Sequence, residues 1–218
     1  MNYPVHFLVA AVSSFLALRL LYSFAINIRL VDLPNERKVH AGEIPLIGGL
    51  AIFAGFVISL LASVPDLNQV RGMLIATTII IIVGVLDDHH DISVRIRLLM
   101  QIVAVLVMTS FSEVVLTDLG DLFGQGAFLL AAWAIPFTVV ATVGSMNAVN
   151  MIDGIDGLAG MTALICFLAV LFLHYLAGDM ALKPILLVGA LIPFMICNLR
   201  HVKKVFLGDA GSMFLGLC

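Results

Sequence analysis

Long apolar runs separated by short charged segments dominate this chain. Seven such runs are readable, over 5–28, 44–64, 70–86, 97–112, 127–146, 158–177 and 184–199. An eighth begins near Ser212 and reaches Cys218 after about two helical turns, which is too short to cross a bilayer. The pattern predicts an all-α polytopic integral membrane protein with about seven complete transmembrane helices plus the start of an eighth.

The composition supports a membrane protein and excludes an ordinary soluble globule. Of the 218 residues, 62% are apolar and 11% are charged, and the mean hydropathy is +1.16. Soluble domains carry about 45–50% apolar and about 25% charged residues. The formal net charge of −3, with no basic stripe, argues against a nucleic-acid partner. The three cysteines form no spaced disulfide or metal motif.

The distribution of Lys and Arg predicts the orientation of the spans. With the N-terminus outside, only Arg71 and Lys183 lie in outside loops. The cations of the inside loops are Arg29, Arg37, Lys38, Arg95, Arg97, Arg200, Lys203 and Lys204. Because short cytoplasmic loops are enriched in cations, the polar segments 29–49, 87–97, 147–160 and 198–212 are all expected to face the cytoplasm. Their convergence predicts one site.

The segment after the third run is acidic and reads Asp87-Asp88-His89-His90-Asp91. If the helix continues, Asp87 and Asp91 share a face and Asp88 neighbours Asp91. Hard carboxylate oxygens at this density favour Mg²⁺. A solvated acidic cap at the membrane boundary has the same pattern, so both interpretations stay open. Adjacent histidines point about 100° apart on a helix, which disfavours a zinc site.

The third polar segment spaces amides and acids at intervals of three, at Asn147, Asn150, Asp153 and Asp156. In a helix, the first three of them follow one slowly turning face. Glycines follow both aspartates and allow the backbone to approach a ligand closely. The alternative is that the amides connect neighbouring helices by hydrogen bonds.

The fourth and first segments add candidate phosphate ligands. The fourth runs from Phe206 to Ser212 and places glycines around Asp209 at a helix start, which predicts free N–H groups for an anion and a carboxylate for its metal. In the first segment, Arg37, Lys38 and His40 are suited to an anionic lipid head group. They serve equally well as topology signals.

Taken in order, the four segments resemble the polyprenyl-phosphate N-acetylhexosamine-1-phosphate transferases, a glycosyltransferase 4 type family. The closest likeness is to its WecA-type undecaprenyl-phosphate GlcNAc-1-phosphate transferase branch, and it extends from Asp32 to Ser212. The muramyl-pentapeptide branch typically carries Lys at the position of Asp91.

The resemblance implies a multi-pass enzyme of the bacterial inner membrane, with its N-terminus outside and its active site facing the cytoplasm. Such an enzyme transfers N-acetylhexosamine 1-phosphate, most often GlcNAc-1-phosphate, from a UDP-sugar to polyprenyl phosphate. It releases UMP and uses Mg²⁺ or Mn²⁺. The reaction is the first membrane step in the synthesis of cell-envelope polysaccharides such as lipopolysaccharide O-antigen, and a homodimer is compatible with it.

The same resemblance implies roles for residues of each segment. Asp87, Asp88 and Asp91 are the catalytic acids that orient the attacking lipid phosphate, deprotonate it or act on it electrostatically. Asp209 and Asn150 are the metal ligands. The nucleotide-sugar is bound by Asn147, Asp153, Asp156, Arg97 and Phe206, whose ring stacks on uracil. The lipid phosphate is bound by Arg37, Lys38 and His40.

Members of this family continue for further spans and carry a His-x-His-type motif that this chain lacks. We therefore expect residues 1–218 to form a single transmembrane catalytic domain that is truncated at its C-terminus. Two alternatives are an inactive fragment of the transferase and a polytopic ion-coupled transporter. A transporter predicts acids within the spans and inverted repeats, whereas these acids cluster at the edge of the spans.

Overall fold

The structure, a computed structural model, describes residues 2–33, 42–112, 114–122, 124, 126–200 and 203–218. Apolar runs with few internal charges fold into helices because a helix satisfies its own backbone hydrogen bonds. The α-helices of the described residues are α1 (Tyr3–Asn27), α2 (Gly48–Ser63), α3 (Arg71–His90), α4 (Val94–Ser112), α5 (Ala134–Ile152), α6 (Leu158–Leu176), α7 (Leu182–Asn198) and α8 (Gly208–Leu217).

The predicted class is confirmed: this is an all-α, polytopic membrane protein. Among the described residues, five helices are long and apolar enough to cross a membrane: α1, α3, α4, α5 with the turn before it, and α6. The apolar helices α2 and α7 are shorter, at 16 and 17 residues. The number of seven complete crossings stays a prediction.

Three helices that carry site residues, α3, α5 and α8, have bounds that differ from those expected from the apolar runs. Helix α3 continues to His90 and includes Asp87 and Asp88, and α5 occupies 134–152 instead of 127–146. Helix α8 begins at Gly208 instead of near Ser212. In each case polar residues enter the helix because their side chains find hydrogen-bond partners on neighbouring helices, which offsets the cost of burying them.

Helix α8 lies at the centre of the fold. It packs against α2, α3 and α5, and every one of its residues except Asp209 is buried. Helix α1 packs mainly against α2 and α7, and α6 packs against α7. The helices around α8 are therefore largely different from those around α1.

Glycines let the first turn of α8 touch two neighbouring helices. A Cβ added to Gly84 of α3 would lie 2.2 Å from Ala210 Cα, and one added to Gly49 of α2 would lie 2.2 Å from the Gly211 nitrogen. Since backbone meets backbone at both places, the position of α8 is fixed closely against α2 and α3.

A short antiparallel pair, β1 (Val31–Asp32) and β2 (Ile44–Pro45), precedes α2. The Phe206 N–H donates to the Pro45 carbonyl at 3.0 Å, and the Phe206 carbonyl accepts from the Gly48 N–H at 2.9 Å. The Gly49 N–H donates to the Leu207 carbonyl at 2.9 Å. These bonds attach the segment before α8 to the start of α2.

Candidate active site

Asp87 forms an ion pair with Arg97 where α3 and α4 meet. Arg97 Nη1 donates to Asp87 Oδ2 at 2.8 Å, and the same nitrogen lies 4.0 Å from Asp209 Oδ2. The Asp87 side chain is only 5% exposed, whereas that of Arg97 is 20% exposed. One guanidinium therefore faces two carboxylates, which reduces the repulsion between them.

Asp88 caps the N-terminus of α8 from the neighbouring helix. Its Oδ1 accepts from the Asp209 N–H at 2.8 Å and its Oδ2 accepts from the Ala210 N–H at 3.3 Å. Gly208, with φ at 75°, makes room for this contact, because a Cβ there would lie 2.7 Å from Asp88 Oδ2. The N–H groups of Asp209 and Ala210, which were predicted to be free for a ligand anion, are therefore already bound to the Asp88 carboxyl group.

Asp209 is held by an amide from α5. Asn150 Nδ2 donates to Asp209 Oδ1 at 2.6 Å and to Ser212 Oγ at 2.9 Å. Burial raises the pKa of the Asp209 carboxyl, and the charge of Asp87 adds to the rise, whereas the bond from Asn150 and the charge of Arg97 act against it. A cation placed beside Asp209 would favour its ionised form.

Asn147 connects helices one turn further from the acids. Its Nδ2 donates to Gln101 Oε1 of α4 at 2.8 Å and to the Val143 carbonyl, and Gln101 Nε2 lies 3.0 Å from Met213 Sδ of α8. This is the helix-connecting arrangement that the sequence left open for the amides. Asn147 therefore joins α5 to α4 and, through Gln101, to α8, one turn away from the acidic centre formed by Asp87, Asp88 and Asp209.

The loop after α5 faces the segment before α8. Lys204 forms an ion pair with Asp156 and its Nζ lies 5.3 Å from the Phe206 ring centroid. Burial first, and then the negative charges of Asp209, Asp88 and Asp156, raise the pKa of Asp153 from 3.8 to about 8. Of the predicted nucleotide-binding residues, Asp153 thus borders the acidic centre, and Asp156 and Phe206 both lie next to Lys204.

Asp91 is separated from the other two acids of its segment. Helix α3 ends at His90, and Asp91 adopts a left-handed conformation with φ at 48°. Its side chain is exposed. The expected shared face of Asp87 and Asp91 is therefore not formed, because the helix stops one residue too early. The predicted lipid-phosphate ligands Arg37, Lys38 and His40 lie outside the described residues.

The donor set fits a magnesium ion that is shared with a substrate. Within the described residues, no group of three His, Cys, Asp or Glu side chains could hold a metal ion by itself. Mg²⁺ commonly takes one or two carboxylates, water and substrate phosphates instead of a protein cage. Asp209, which is 35% exposed, and the amide oxygen of Asn150 supply hard oxygen donors of this kind.

Most of the chain matches a known protein family. The model of glycosyl transferase family 4 matches residues 70–218, which include all of α3 to α8. The chain belongs to glycosyl transferase family 4.

Three similar proteins are each named undecaprenyl-phosphate alpha-N-acetylglucosaminyl 1-phosphate transferase. The protein of Yersinia pestis is 37% identical over 197 residues, which cover 88% of this chain and 54% of the relative. That of Salmonella typhi is 36% identical, with coverage of 96% and 58%, and that of Haemophilus influenzae is 36% identical, with 95% and 60%. The chain thus spans little more than half the length of these relatives.

Several residues that organise this candidate site were missed by sequence reasoning. Ser212 and Gln101 bind the two asparagines of α5. Asn198 accepts from the Gly157 N–H at 2.7 Å and donates to the Val205 carbonyl at 2.9 Å. A signal existed for Gln101 and Asn198, because each is a single amide in an otherwise apolar run and therefore needs a partner.

Proposed function

We propose that this chain carries the catalytic centre of a transferase that moves N-acetylhexosamine 1-phosphate from a UDP-sugar to polyprenyl phosphate. The donor we propose is UDP-GlcNAc and the acceptor is undecaprenyl phosphate, because the names of the relatives specify that sugar and that lipid. The rival assignment as an ion-coupled transporter gains no support from the contacts, since the acids gather at one end of the helices.

The observation that carries the proposal is the contact of four helices at Asp209. Asp87 of α3, Arg97 of α4 and Asn150 of α5 surround this carboxylate of α8. Asp209 and Asn150 are the residues that would hold Mg²⁺ or Mn²⁺. When bound there, the ion would supply positive charge for the diphosphate oxygens and for the departing UMP.

The reaction we propose is a displacement at phosphorus. An oxygen of the lipid phosphate bonds to the phosphorus attached to the sugar, and the bond from that phosphorus to the bridging oxygen breaks, so that UMP leaves with the electron pair. The second pKa of a phosphate monoester is near 6, so the acceptor is mostly ionised at neutral pH and needs no strong base.

The protein groups therefore act mainly by holding the reactants. Arg97 has a buried Nε with no hydrogen-bond partner among the described residues, and a phosphate oxygen is the acceptor that suits a guanidinium. Asp87 orients this guanidinium, and Asp88 fixes the first turn of α8. We assign nucleotide contacts to Asp153, which borders the centre, and to Asp156 and Phe206, which lie next to Lys204.

The orientation in the membrane is part of the proposal. The excess of Lys and Arg in the segments that carry the site supports a cytoplasmic active site with the N-terminus outside. A UDP-sugar is water-soluble and a polyprenyl phosphate is held in the bilayer, so a site at the membrane edge allows both to meet. The resemblance supports the bacterial inner membrane and assigns the acceptor phosphate to Arg37, Lys38 and His40.

The test is UMP release from UDP-GlcNAc in membranes that contain the chain and undecaprenyl phosphate. We expect release that stops with EDTA, and a loss of at least about 100-fold in Asp209→Asn because a charged metal ligand is removed. Asp179→Asn is the matched control, since Asp179 is exposed and follows the distant end of α6. Metal-independent release, or near-normal activity of Asp209→Asn, contradicts the proposal.

A further inference from the structure

A cavity lies between α1 and the end of α7. It has a volume of about 440 Å³, within the range of about 300–1,000 Å³ that is typical of ligand pockets. Its apolar wall includes Phe15, Leu18 and Val205. Three cations, Arg19, Arg200 and Lys203, line the same cavity. An apolar wall with several cations suits a ligand that is both apolar and anionic.

In the part of the chain that the structure describes, no carboxylate neutralises the three cations. Within the described ranges of the chain, none of them has a carboxylate at ion-pair distance, whereas Arg97 has two and Lys204 has one. The Arg19 guanidinium lies 5.1 Å from the Phe15 ring centroid, one turn earlier on α1. Because like charges around one cavity repel each other, an anion bound there would be favoured.

The depth of the cations favours a lipid over a soluble anion. Arg19 lies eight residues before the end of α1 at Asn27, or about 12 Å along the helix axis. Its neighbours Leu16 and Leu20 are 51% and 77% exposed. Arg200 and Lys203 follow the end of α7. Cations therefore extend from the helix ends into the apolar zone, where a head group meets its acyl chains.

We propose that this cavity binds the phosphate head group of an anionic glycerophospholipid from the surrounding bilayer, with an acyl chain along α1. The inference does not depend on the proposed transferase activity. The cavity is formed by α1, α7 and the segment after α7, whereas the acidic centre is formed by α3, α4, α5 and α8. An acceptor phosphate has to reach the donor at Asp209, so we do not place the acceptor in this cavity.

The segment before α8 connects the cavity to the acidic centre. Lys203 and Val205 line the cavity, while Lys204 pairs with Asp156 and approaches the Phe206 ring. Alternate residues of this non-helical segment therefore face opposite sides. A phosphate bound to Lys203 would hold the segment from the side away from Asp156.

The test is lipid binding to the purified full chain in neutral detergent. Phosphatidylglycerol with a fluorescent acyl chain is the probe, and phosphatidylcholine with the same chains is the zwitterionic comparison. We expect tighter binding of phosphatidylglycerol. Each cation removed should weaken it about fivefold, so Arg19→Gln/Arg200→Gln should lose about 25-fold. Arg29→Gln, an exposed cation just after α1, is the matched control and should change affinity less than twofold.

If the double variant fails to fold, as judged by its circular dichroism, Lys203→Gln alone should weaken binding about fivefold. Equal affinity for the two phospholipids, or equal loss in Arg29→Gln, overturns the proposal. Displacement of the probe by inorganic phosphate at similar concentrations would identify a soluble-anion site instead. Displacement by undecaprenyl phosphate at lower concentrations than by unlabelled phosphatidylglycerol would identify the acceptor site instead.

Discussion

Replacement of Gly84 by alanine tests whether backbone contact between α3 and α8 positions the acidic centre. The new Cβ would lie 2.2 Å from Ala210 Cα, and ordinary contacts begin at 3.4 Å, so α8 must move by about 1.2 Å, the difference between the two distances. The Asp88 hydrogen bonds to Asp209 and Ala210, now 2.8 and 3.3 Å long, would lengthen with this movement. Overpacking of this kind costs about 1–3 kcal/mol of stability.

The larger effect should be on activity. A displacement of about 1 Å at a reacting centre lowers rates about 100-fold, so Gly84→Ala should reduce UMP release by about that factor. The assay compares UMP release with the Tm in detergent for the same preparations. Gly144→Ala is the matched control, because Gly144 lies within α5 and nothing lies within 4 Å of an added Cβ. Activity of Gly84→Ala within twofold of the unchanged chain would refute the reasoning.

The capping contact and the raised pKa of Asp153 give two more predictions. Asp88→Asn should lower stability by about 1–2 kcal/mol because an amide cannot accept from both N–H groups. Asp91→Asn, at an exposed position, should stay within about 0.5 kcal/mol, and equal Tm changes would contradict the cap. In the folded chain the pKa of Asp153 is about 8, whereas the ordinary value is 3.8. Between these two pH values the carboxyl group ionises in the unfolded chain but stays protonated in the folded chain, so the free energy of unfolding falls as the pH rises. In EDTA, Asp153→Asn should therefore gain Tm relative to the unchanged chain from pH 5 to pH 8; a constant difference would refute this.

The helices were predictable because their signal is local. Runs such as those of α1 and α6 contain few charges over a bilayer's thickness, and no competing structure satisfies the backbone in lipid. Helix ends were less predictable. Asp87, Asp88, Asn147 and Asn150 are polar by type, and their place inside helices depends on partners from other parts of the chain.

The site was predictable as a set of residues but not as a set of contacts. The order of motifs singled out Asp209 and Asn150, and the structure joins them. Spacing cannot show that Asp88 accepts hydrogen bonds from α8, because that contact joins positions 121 residues apart. Hydrogen bonding that is non-local in the chain has no periodic signature, so the caps and the β1–β2 pair were missed.

The bonds that join Phe206 and Leu207 to Pro45, Gly48 and Gly49 bear on how the molecule is made. The ribosome synthesises Pro45, Gly48 and Gly49 long before it synthesises Phe206 and Leu207. Until then the amides of Gly48 and Gly49 must rely on water or other transient acceptors. Closing so long a loop is slow compared with forming a single helix. The acidic centre should therefore form only after most of the helices have been inserted into the bilayer.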